Sequence, residues 1–147
     1  PVSYWVNEGL ALAFEAAAKA GKDSIGGTDP DRLPTIQQEF RLDPAKRKIL
    51  GLSTLAGKSS SDVISELKNT QGSEEDKFER QKKAEALMAQ VWSFVAYLLS
   101  SPEDRAKLEA YVEQEWSGKG GLSSFTEVFG EAAGIAEKWK SFVEESK

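Results

Sequence analysis

The stretch ALMAQVWSFVAYLLS, residues 86–100, is apolar nearly all the way round a helix of about 100° per residue. Leu87, Met88, Val91, Trp92, Phe94, Val95, Leu98 and Leu99 leave no polar face to turn toward water, so other helices must surround it. It carries no polar constellation and reads as a central core helix rather than a cofactor box. The helix is expected to begin far earlier, at about Glu74, where Ser73 offers a cap and Glu74-Glu75-Asp76 place negative charge at the positive end of the helix dipole. Its first half is charged. With 147 residues, 39% of them hydrophobic, four Trp and seven Phe, the chain has enough apolar mass to enclose this helix in one cooperative unit.

The remaining elements follow from breakers and caps. An alanine-rich helix is predicted from about Ser3 to Ala20, stopped by Gly21. On its wheel Val6, Leu10, Ala13, Phe14 and Ala17 share one face, and Tyr4, Glu8, Leu12 and Glu15 form a mixed opposite face. KDSIGGTDPDRLP, residues 22–34, reads as an exposed loop. A short helix is expected over Thr35 to Arg41, another over Pro44 to Leu55 with Asp43 as cap, and a brief one over Asp62 to Lys68 capped by Ser60 or Ser61. Ser101-Pro102-Glu103-Asp104 starts a helix on which Leu108, Tyr111, Val112 and Trp116 recur at helical spacing, ended by Gly118-Lys119-Gly120-Gly121. Ser124 should cap a short helix through Phe129. A last helix, Glu131 to Glu145, presents Ile135, Trp139, Phe142 and Val143. No segment alternates like a strand. The expectation is therefore an all-α, irregular multi-helix array with a long central helix. Residues 1–21 form an opening helix, 22–72 loops and short helices, and 73–147 a helical core, all in one compact domain.

Composition closes several functional classes. A net charge of −5 without a basic stripe argues against nucleic acid as a partner, because phosphate backbones are held by clustered Lys and Arg. Lys82-Lys83, interleaved with Glu79 and Glu85, reads as a solvated helix face. The chain has no Cys and no His, so disulfides, thiolate chemistry and the common Ser-His triad are unavailable. SIGGTD and SGKGGLS lack phosphate-loop spacing and read as turns. No apolar run reaches the ~18 to 20 residues of a membrane span, and the start lacks the features of a signal peptide, so the chain is expected to be soluble. The first residue is Pro and the opening segment already lies in a helical pattern, which suggests a piece of a longer protein; a native start with Met removed before Pro is the other option.

One stretch points to chemistry. In WVNEGLALAFE, residues 5–15, Glu8 sits on a helix between Trp5-Val6-Asn7 and Gly9-Leu10-Ala11, with Phe14-Glu15 beyond. It resembles the second metal-binding helix of gluzincin zinc metallopeptidases, W-x-x-E-G-[LF]-A followed by an aromatic and often Glu. MAQVWSFVAYLL resembles the Y-A-x-x-W-x-[LF]-V-x-[FY]-L helix that follows in such proteins. SFTEVFGEAAGIAEKWKSFVEE resembles their ending, and the nearest likeness is to uncharacterised bacterial proteins with a gluzincin-type domain. Residues 22–71 match only loosely.

The resemblance implies that Glu8 is the third zinc ligand, that Trp5 and Asn7 support its helix, and that the later helices wall a cleft for a peptide or protein substrate. In that clan a His-Glu-x-x-His helix provides two ligands and the general base, and zinc acidifies a water at its open position. That helix is absent here, so zinc is expected only in a full-length parent whose upstream part carries it, and the isolated chain should be inactive. Met88 stands where related sequences often have Tyr; Tyr97 and Tyr111 read as core aromatics. The resemblance also leans toward an extracytoplasmic location. Two other readings stay open. The chain could be a non-catalytic helical interaction module that binds a protein, or a second copy of itself, through the Tyr4/Glu8/Leu12/Glu15 face. Alternatively, Glu8 could be a first-turn acid favoured by the helix dipole alone.

Overall fold

The computed structural model describes residues 2–21, 28–68 and 71–147. Its centre is α5, Glu74–Leu99, whose second half is enclosed as its composition demands: Leu87, Val91, Phe94, Val95 and Leu98 are all at most 1% exposed. Met88 and Leu99 are partly buried at the edge of the same core. The first half projects into solvent, which suits its charge. A reciprocal Ser73/Asp76 capping box satisfies its first N–H groups, Asp76 N donating to Ser73 Oγ at 3.1 Å and Ser73 N to Asp76 Oδ2 at 3.0 Å.

Around α5 pack α1 (Tyr4–Lys19), α2 (Leu33–Arg41), α3 (Leu52–Ala56), α4 (Ser60–Leu67), α6 (Pro102–Trp116), α7 (Leu122–Phe129) and α8 (Ala132–Glu145), with a 3-10 turn at Pro44–Lys46. The architecture is an all-α, irregular array with a long central helix; the described residues contain no strand, only an isolated antiparallel bridge between Ser3 and Ser59. Buried side chains from Tyr4 to Val143 join in one hydrophobic core that draws on all three expected segments. None of the described helices is long and apolar enough to cross a membrane.

Five expectations are corrected. The helix expected over Pro44 to Leu55 is a 3-10 turn, an irregular stretch that bends at Lys48 and Ile49, and the five-residue α3. Side chains from elsewhere take the backbone groups a helix would have used: Lys48 N donates to Glu39 Oε1 at 2.9 Å, Leu50 N to Gln90 Oε1 at 3.0 Å, and Gln90 Nε2 to Leu50 O. The cap of α4 is Ser59, which forms a capping box with Asp62. α7 begins two residues before Ser124, whose hydroxyl instead reaches back to Lys119 O. Trp116, expected on the buried face of α6, is 81% exposed. Of the loop expected over residues 22–34, the glycine pair lies outside the described residues. Asp29 is buried and orders the following turn, accepting from Asp31 N at 2.9 Å, Arg32 N at 3.2 Å and Arg32 Nη1 at 2.6 Å.

Candidate functional site

The helix that carries Glu8 is fixed at its start by backbone pairing. Tyr4 N donates to Lys58 O at 3.1 Å and Ser60 N to Val2 O at 3.3 Å, while Ser3 N donates to the Glu115 carboxylate at 3.2 Å. Ser3 Oγ and Tyr111 Oη lie 3.1 Å apart. One turn in, Trp5 is wholly enclosed, its ring centroid 5.3 Å from Phe94, 5.1 Å from Tyr111, 5.9 Å from Phe125 and 6.1 Å from Phe129. The motif tryptophan therefore anchors α1 to α5, α6 and α7. Gly9 lets α1 lie against α5, since a Cβ there would stand 2.7 Å from Val91 O.

Between these two anchors sits Glu8, half-buried. Its carboxylate makes no hydrogen bond or ion pair among the described residues, and α1 begins at Tyr4, which puts Glu8 in the second turn. That overturns the first-turn reading, because the dipole effect fades within the first turn. Asn7 is exposed and its side chain also makes no hydrogen bond among the described residues. The mixed face is not the free surface it looks like on a wheel: Tyr4 and Leu12 are buried at 6% and 4% exposure. Phe14, expected on the inner face, is 55% exposed. The outer strip of α1 is instead Asn7, Ala11, Phe14 and Ala18, with Glu8 and Glu15 along its edge.

Glu8 shapes the chemistry of its neighbour. Burial, with the Glu8 charge as a second cause, pushes the Tyr4 phenol up to about 12. The fold thus favours the neutral phenol. Its contribution is complete below pH 10, where the unfolded chain's tyrosine is also neutral, and is lost as pH rises through about 12. Urea midpoints measured from about pH 9 to 12 should fall, and Tyr4→Phe should flatten part of that fall. Tyr97 and Tyr111, both also shifted upward mainly by burial, contribute to the rest, as does Lys19, raised by its hydrogen bond with Glu15; an unchanged slope in Tyr4→Phe would refute the assignment. Both rings are buried, Tyr97 against Phe94 and Phe142, as expected of core aromatics.

A zinc site needs three or four nitrogen, sulfur or carboxylate donors converging on one point. The chain has neither His nor Cys, and among the described residues no three acidic side chains gather where a metal could be held. Glu8 alone does not fit the ion, so no zinc chemistry is assigned to this chain by itself. Sequence reasoning missed a polar arrangement elsewhere, the buried Glu39 and Gln90 bonded to the backbone of residues 48–50. The one available signal was a glutamine inside an otherwise apolar run. Compared with protein families, with characterised proteins and with solved structures, the chain matches none.

Proposed function

We propose that this chain is the C-terminal helical portion of a gluzincin-like zinc metallopeptidase, in which Glu8 contributes the third zinc ligand to a His-Glu-x-x-His helix supplied by the preceding part of the full-length protein. The observation that carries the reading is Glu8 itself. It is an acid in the second turn of a docked helix, half-buried, with no hydrogen bond or ion pair among the described residues. The WVNEGLALAFE pattern supplies its context, and the Trp5 and Gly9 contacts hold its helix against the rest of the chain. A ligand set split in this way needs a carboxylate held rigidly by one part and left open to the other. In the parent, α5 to α8 then form one wall of a peptide-binding cleft.

The isolated chain should neither cleave peptides nor hold zinc tightly. Calorimetric titration with zinc tests this directly: one-to-one binding in the submicromolar range, abolished by Glu8→Ala, would show that the chain has a site of its own and sink the split-ligand reading. The coding sequence ahead of Pro1 supplies the second test. His-Glu-x-x-His within ~15 to 40 residues supports the peptidase. A start codon directly before Pro1 would favour the interaction module, with exposed Phe14 as its apolar contact.

A further inference from the structure

A second polar site contains no residue of α1. Between α2, the segment after the 3-10 turn, and α5 is an open cleft of about 270 Å³, lined by Thr35, Gln38, Glu39, Lys48, Lys82 and Glu85 among others. Glu39 is 5% exposed. Its Oε1 accepts the Lys48 backbone N–H at 2.9 Å, while the enclosed Oε2 has no hydrogen-bond partner. A carboxylate oxygen taken out of water without a donor is costly, so the site calls for one. Lys48, which also lines the cleft, makes no ion pair among the described residues. Lys82 does not serve either group, since it lies 3.4 Å from Glu85. A carboxylate with one unsatisfied oxygen and a lysine outside any ion pair among the described residues therefore border one small cleft.

We propose that this cleft binds a small zwitterion of the α-amino-acid type, its ammonium donating to Glu39 and its carboxylate meeting Lys48. The lining is balanced in charge, two Lys against two Glu, which disfavours a divalent cation as well as a polyanion. The volume falls below the ~300–1,000 Å³ of pockets that enclose drug-sized ligands, which limits the occupant to a small molecule. Thr35 and Gln38 add hydroxyl and amide groups at the same wall. The proposal does not depend on the Glu8 reading.

The test is a titration of the isotopically labelled chain with glycine, L-alanine, L-leucine, L-glutamate and L-lysine, followed by amide shifts. Methylammonium chloride and sodium acetate serve as half-ligands. The expected result is saturable shifts confined to the amides around Gln38, Glu39, Lys48 and Glu85, with each half-ligand binding at least about tenfold more weakly than the best amino acid. Glu39→Gln, which removes the acceptor at Oε2, and Lys48→Met should each weaken binding by about tenfold or more. Should Glu39→Gln fail to fold, Lys48→Met decides alone. No saturable shift with any amino acid, equal binding of a half-ligand, or undiminished binding in Lys48→Met would overturn the proposal.

Discussion

Replacing Trp5 with alanine should lower the unfolding free energy by about 3–5 kcal/mol, the range for truncating a large buried aromatic. Against a typical total of about 5–15 kcal/mol this is enough to leave the chain marginal. The cost is high because the indole is a shared contact: it touches Phe94 of α5, Tyr111 of α6, and Phe125 and Phe129 of α7 at centroid distances of 5.1 to 6.1 Å. Those rings also contact one another, Phe125 and Phe129 at 4.9 Å and Tyr111 and Phe129 at 5.8 Å, so they are already committed and cannot readily close the space. Trp5→Phe should cost less than half as much. It keeps a ring, and the indole Nε1–H it removes has no hydrogen-bond partner to lose. Urea denaturation followed by far-ultraviolet circular dichroism measures both variants. A loss below about 1 kcal/mol for alanine would mean that the cluster collapses into the gap and that Trp5 is not the anchor of α1.

What could be read from sequence was whatever adjacent residues decide. The Ser73 and Ser101 helix starts are legible because cap and first-turn acids lie within four residues of one another, joined after Ser101 by the first-turn Pro102. The enclosure of α5 was equally plain, since its second half offers no face to water. The broken helix at residues 47–51 was not legible, because Glu39 and Gln90, 9 and 40 residues away, hold its backbone. Trp116 failed for a related reason. The position of α6 that faces the body beside Tyr111 is taken by Glu115, whose carboxylate receives the Ser3 N–H from a partner 112 residues distant in sequence. The wheel of α1 misled because that helix is packed by α5 along one side and by α3 and α4 along another, which buries Tyr4 and Leu12 and leaves Phe14 outside. At the candidate site the identity of Glu8 was legible. Its freedom from partners was not, since that depends on every element around it.

The glycine after Glu8 permits a sharper experiment than the glutamate itself. Gly9→Ala should destabilise the chain by about 1–3 kcal/mol, even though alanine is the better helix former by about 1 kcal/mol. The added Cβ would stand 2.5 Å from Val95 Cγ2 and 2.7 Å from Val91 O. The valine methyl can rotate, but the carbonyl belongs to the backbone of α5, so relief requires α1 to lift away along its length. Gly134 supplies the control. It lies in α8 with open space where its Cβ would go, so Gly134→Ala should be neutral or stabilising by up to about 1 kcal/mol. Opposite signs for the same chemical change, read as urea midpoints, would establish that Gly9 is set by the crossing of α1 over α5. If Gly9→Ala were as benign as Gly134→Ala, α1 would be free to shift on α5, and Glu8 would lack the fixed position that a ligand shared between two parts of a protein requires.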